Sequence, residues 1–147
     1  MPIISAFIFS SVIAISGFQE IHRFIPTSTV VRVASMAAND EGYKVGEKGC
    51  YLDELRVDGK EPLPGYTSIG LYLDSRLIRS YSIRVDTGDV IDPMNCMIFR
   101  YPNLLKFKRE TLKALHTKEV SIEFMAEEVG CDTLEVVPAV KPPNKPK

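Results

Sequence analysis

Apolar residues are distributed along this chain with three different periods, and each period predicts a different kind of element. From Ile3 to Ile15 they are nearly continuous, and the first charged side chain is Glu20. That run is too short for a membrane-spanning helix, which needs roughly 20 apolar residues. It fits the hydrophobic region of a secretory signal, with the small residues Ala14 and Ser16 before Gly17 at the positions signal peptidase reads. Residues 1–16 are therefore expected to be a signal peptide and 17–27 a linker, although no Lys or Arg precedes the run. An uncleaved anchor or a buried first element are the alternatives. Cleavage after Ser16 leaves 131 of the 147 residues.

A helical period follows. Val30, Ala34, Ala37 and Ala38 share one side of a helix behind the hydroxyls of Thr27, Ser28 and Thr29, with Val33 and Met36 widening the stripe and Gly42 as a stop. Its small residues suit close packing on a sheet. The period then drops to two. Tyr51, Leu55 and Val57 alternate before the Asp58-Gly59 turn. Tyr66 to Leu73 puts Thr67, Ile69, Leu71 and Leu73 on one face and Tyr66, Ser68, Gly70 and Tyr72 on the other. After the Asp74-Ser75-Arg76 turn a strand runs from Leu77 to Asp86, and Val90-Ile91 adds a short fourth. This predicts an antiparallel meander with one buried face.

The helical period returns after Pro102. Leu104, Leu105, Phe107, Leu112 and Leu115 mark one helix, with Lys106, Lys108, Arg109 and Lys113 mostly opposite. Ser121 caps a second, carrying Ile122, Met125, Ala126 and Val129 and ending at Gly130. The fold class is α+β: an N-terminal helix packed on an antiparallel meander of three to four strands, followed by two C-terminal helices. Residues 28–137 form one domain. Residues 138–147, with four prolines and three lysines, are expected to be a disordered tail.

Composition removes several function classes. A net charge of −1 lacks the footprint of a dedicated nucleic-acid binder. Two histidines and three cysteines leave little for a metal site, and no cofactor motif is present. Cys96 precedes the helical region and Cys131 follows its last glycine, so in an exported chain these two are expected to pair, leaving Cys50 over, either buried or available for a bond to another chain.

Catalytic lookalikes are few. Asp86-Thr87-Gly88 at a strand end resembles the loop of an aspartic protease, which needs two copies sharing a proton; this chain has one and would have to work as a dimer. A tight turn requires the same residues, Asp to accept a backbone hydrogen bond and Gly for positive φ, and is the stronger reading. Ser121 to Cys131 resembles the start of a helix-turn-helix, but Glu123, Glu127, Glu128, Asp132 and Glu135 would repel phosphate. The spacing of Gly65 and Gly70 suggests a phosphate loop, yet Leu71-Tyr72 stands where Lys-Ser/Thr is needed. Met94, Met97, Met125 and Phe124 are expected in the core, and His116 at the surface after a helix end. Arg100-Tyr101 is the candidate partner-binding pair, since Arg and Tyr anchor protein interfaces.

Residues 28–92 resemble a PepSY-type module: a small-residue helix ending near a glycine, then a sheet whose closing strands run into V-D-x-x-T-G-x-V. The counterpart here is Val85-Asp86-Thr87-Gly88-Asp89-Val90, shorter by two residues between Asp and Thr. The stretch from Cys96 to Pro102 with the helical extension 93–137 is similar to the C-terminal half of small exported bacterial proteins with this fold. The resemblance implies an exported, non-catalytic module that binds or restrains peptidases, secreted or periplasmic. Together these features predict a protein- or peptide-binding module that is not an enzyme. A structural protein of the cell envelope and a small hydrolase using the Asp86 loop are the alternatives.

Overall fold

The computed structural model describes residues 24–55 and 63–139. The signal-peptide reading of 1–16, most of the linker, the Asp58-Gly59 turn and residues 140–147 of the tail lie outside them. The described residues form three helices and one six-stranded sheet in strictly sequential order. Helix α1 (Thr27–Asp40) precedes strands β1 (Cys50–Glu54), β2 (Tyr66–Leu73), β3 (Arg76–Arg84), β4 (Val90–Asp92) and β5 (Met97–Phe99). Helices α2 (Pro102–Leu115) and α3 (Ile122–Val129) follow, and strand β6 (Glu135–Val137) closes the sheet. The α+β class stands. Strands β1 to β5 pair antiparallel, whereas β6 runs parallel to β5.

Local chemistry accounts for the boundaries. The α1 backbone begins on the Pro26 carbonyl, which accepts from the Thr29 and Val30 amides, and Gly42 follows its end at φ +100°. Asp74 and Ser75 both take positive φ between β2 and β3, the conformation a two-residue hairpin turn needs to match strand twist. Pro102 opens α2, where a missing N–H costs nothing. His116 ends α2 in the left-handed region. Ser121 caps α3 by accepting from the Phe124 amide, and Gly130 ends it at φ +79°.

The sheet is buried on both sides, which corrects the single-face expectation. Val30, Val33, Ala34, Ala37 and Ala38 of α1 pack with Ile69, Leu71, Tyr81, Ile83, Val90 and Phe99 on one side, and Leu104 of α2 joins them. The small α1 side chains let its backbone approach the pleat closely. On the other side Met125 and Ala126 of α3 meet Tyr66, Ile91, Ile98 and Leu134. The two C-terminal helices thus straddle the sheet. Ser80 and Ser82, on the face of β3 opposite Tyr81 and Ile83 and polar enough for a wet face by alternation, are each 1% exposed. The folded body also starts earlier than the helical stripe: Ile25 is buried and its amide donates to the Val85 carbonyl at 2.8 Å.

Three further corrections follow from packing. Lys108, expected on the solvent side of α2, is buried. Met94 and Phe124, expected in the core, are 63% and 51% exposed. Strands β5 and β6 exceed the expected three to four: each is three residues long, too short to show a period, and neither follows a turn signal such as the Thr87-Gly88 that precedes β4.

Candidate functional site

Cys96 and Cys131 form a disulfide across 35 positions, with their Cα atoms 5.8 Å apart. It fastens the β4–β5 turn to Cys131, two residues beyond α3, while Cys50 stays free and buried. Both sulfurs lie near the Pro93 carbonyl. This pairing is the one expected from the positions of the two cysteines around the helical region.

Among the described residues, polar side chains gather in three networks, each tying a helix or its end to the sheet or its turns. In the first, Arg79 of β3 donates to both Glu41 oxygens at 3.2 and 3.1 Å, and the Tyr81 hydroxyl donates to the same carboxylate at 2.6 Å. Burial, then the Glu41 carboxylate, push the Tyr81 hydroxyl far above its ordinary range. Asp92, fully buried, accepts from the Met94 and Asn95 amides and from the Asn95 side chain. Asp92 stands 3.6 Å from Arg79.

The second network centres on Lys108, whose ammonium lies 2.9 Å from Asp89 and 2.7 Å from Glu119. Thr87 donates its hydroxyl to Asp89 at 2.6 Å. The third joins Arg84 of β3 to both oxygens of Glu128 on α3 at 3.1 Å, with Tyr66 donating to the same carboxylate at 2.8 Å and Asp86 paired to Arg84.

The last two networks make stability pH-dependent. The Lys108 ammonium holds the Glu119 carboxyl below its ordinary value. Burial pushes Glu128 upward, but its hydrogen bonds from Arg84 and Tyr66 outweigh burial and leave it lowered as well. A lowered carboxyl pKa stabilises the fold above the unfolded value, 4.5 here, and that contribution is lost as pH falls through the folded pKa. Asp40, raised by burial from 3.8, acts in the opposite sense. Glu128→Gln is therefore expected to lower stability at pH 7 and to converge on the wild type as the pH approaches 3. Urea unfolding across that range checks it, and a gap independent of pH refutes it.

The Asp86-Thr87-Gly88 segment is a turn between β3 and β4. The Gly88 amide donates to the Arg84 carbonyl at 2.8 Å, and Thr117 donates its hydroxyl to the Asp86 carbonyl. Gly88 adopts φ +85°, and a Cβ there would lie 2.9 Å from the Phe107 ring. Gly88→Ala should cost about 1–3 kcal/mol through strain and crowding. A chemical denaturation midpoint equal to wild type would contradict this.

Arg100 and Tyr101 lean inward. The Arg100 side chain is 24% exposed and 3.8 Å from Asp89, and its buried Nε has no hydrogen-bond partner among the described residues. Tyr101 is half-buried against the main core at the start of α2. Exposed aromatic surface lies elsewhere: Tyr51 of β1 stacks on Tyr72 of β2 with ring centroids 5.3 Å apart. The sequence put Tyr72 on the correct side of its strand. It held no signal that Tyr51 stands directly opposite, because that depends on strand register. Among the described residues no group of His, Cys, Asp and Glu could hold a metal ion, and no helix is long and apolar enough to cross a membrane.

No protein-family model matches this sequence, and no curated protein matches it either. The fold is similar to that of a chain in a solved type VI secretion system effector-immunity complex from Pseudomonas protegens, at TM-score 0.64 and 22% identity. The match covers 74% of this chain and 91% of that one. At this identity the likeness establishes the fold and nothing finer.

Proposed function

We propose that this chain is an exported, non-catalytic protein-binding module whose partner is a secreted protein effector. The observation that carries the reading is the fold shared with nearly the whole of a chain that occurs in an effector-immunity complex. In such a complex each chain binds the other, which favours a protein partner for this fold. Two features of this chain support it. The disulfide suits an oxidising compartment outside the cytosol, in line with the signal-like opening run. The carboxylates gathered in the fold are committed to cations, Asp86 to Arg84 and Asp89 to Lys108, as in a scaffold rather than a proton-sharing dyad. The PepSY-type resemblance of residues 28–92 also favours binding over catalysis; peptidases as the partner class rest on it alone.

The test is co-expression in the bacterial periplasm with each secreted effector of the native host, scoring survival and isolating complexes by size exclusion. Protection by the chain together with a stable stoichiometric complex is the expected result. Unchanged killing with no complex for every effector would overturn the proposal, as would a hydrolytic activity that disappears in Asp86→Asn.

A further inference from the structure

Among the described residues, the sheet face opposite α1 is covered unevenly. Helix α3 and the disulfide lie over Tyr66, Ile91 and Ile98, and no residue of β1 takes part in that packing. At the β1 end of the same face Tyr51 stacks on Tyr72 with ring planes 12° from parallel, and Tyr51 remains 43% exposed. Asp53, two residues along, shares that face because side chains alternate along a strand, and it too is exposed. Its cross-strand neighbour is Gly70, which has no side chain to shield it. A Cβ at Gly70 would lie 2.8 Å from the Tyr72 ring and 2.9 Å from Leu77, so both lean over the glycine. The outcome is an aromatic step with a carboxylate beside it.

The β1 backbone limits how anything can bind there. At one end Gly46 donates to the Cys50 carbonyl and Cys50 donates to the Glu47 carbonyl, which closes the edge. At the other end the Asp53 carboxylate accepts the Glu54 amide at 2.7 Å. The flanking bonds, Asp74 amide to Gly49 carbonyl and Leu55 amide to Ser68 carbonyl, show that odd-numbered residues turn their backbone groups toward β2. Leu52 therefore points its N–H and C=O outward. This edge offers one antiparallel residue pair instead of a long pairing template, and side-chain chemistry must select the partner.

A planar guanidinium satisfies both parts of the surface, stacking on an aromatic face while pairing with a carboxylate. We propose that the Tyr51–Tyr72 step and Asp53 form the docking surface for an arginine-bearing extended segment of the protein partner. The arginine stacks on Tyr51 and pairs with Asp53, and the neighbouring backbone pairs at Leu52. A second copy of this chain fits poorly: self-pairing centred on Leu52 would set Tyr51 of one copy against Asp53 of the other and bring no cation. The inference rests on the protein-binding reading above and names its surface.

The test titrates the isotope-labelled full chain with acetyl-Val-Arg-Val-amide and with its citrulline counterpart, which keeps the shape and loses the charge. The arginine peptide should move the Tyr51 and Tyr72 ring signals and bind about fivefold more tightly than the citrulline peptide. Asp53→Asn should remove that preference with no change in melting temperature. Unmoved ring signals, or an undiminished preference in Asp53→Asn, would overturn the proposal. With an effector in hand, Tyr51→Ala and Asp53→Asn should each weaken the complex about tenfold. An unweakened complex refutes this surface and leaves the protein-binding reading intact. Failure to bind any effector, with the peptide result intact, refutes that reading instead. Dimers in sedimentation that Tyr51→Ala abolishes would make a second copy the occupant and also overturn the proposal.

Discussion

Lys108→Met should destabilise the protein by about 3 kcal/mol, because it removes the nearest cation of the buried Asp89 carboxylate and leaves, among the described residues, only Arg100 at 3.8 Å. The ammonium side chain is 6% exposed and Asp89 is 2% exposed, at 2.9 Å, so water cannot replace the missing partner. Glu119, at 65% exposed, loses its neighbour at little cost. The methionine keeps most of the stem that Lys108 packs along α2, which isolates the charge from the volume. Adding Asp89→Asn should recover part of the loss, since an amide is far cheaper to bury than a carboxylate stripped of its nearest cation. A double-mutant cycle in urea reads the coupling. Additive losses would show that the two groups do not depend on each other.

Breaking the disulfide is the other large effect. Replacing Cys96 and Cys131 together by alanine frees a 35-residue separation in the unfolded chain and should cost about 3–4 kcal/mol on the chain-entropy estimate. For a domain of this size that lowers the melting temperature on the order of 10 °C. The region that loosens first should be α3 with β6, because the bridge holds Cys131, just beyond α3, to the β4–β5 turn and Cys131 belongs to the smaller packing cluster. Hydrogen exchange should show protection falling at Met125 and Ala126 while Val33 and Tyr81 keep theirs. Uniform loss across both faces would argue against a separately tethered layer. Thermal melts with and without reductant provide the same comparison in the unmodified protein.

Both effects depend on residues that the linear pattern treated differently. The cysteine pair could be proposed from position alone, because the two residues bracket the helical stretch. Lys108 could not be recognised. It sits among Lys106, Arg109 and Lys113 in a run that reads as a solvated face, and its burial follows from Asp89 and Glu119 being brought to it from other segments. Likewise Ser80 and Ser82 look like the wet side of a strand until α3 is placed over Ile91 and Ile98 beside them.

Local sequence dictates the three helices, the strands up to β4, the caps at Ser121 and Gly130, the hairpin turn at Asp74-Ser75 and the α+β class. These are set within a few residues by backbone conformation and by the alternation of apolar side chains. Long-range packing sets the six strands among the described residues, the parallel entry of β6, the opposite faces taken by α2 and α3, and the meeting of Tyr51 with Tyr72. Each of those depends on register or on which layer covers which face. Such choices are made by segments far apart in the chain, where cross-strand pairing and the burial of charge with a partner outweigh any local preference.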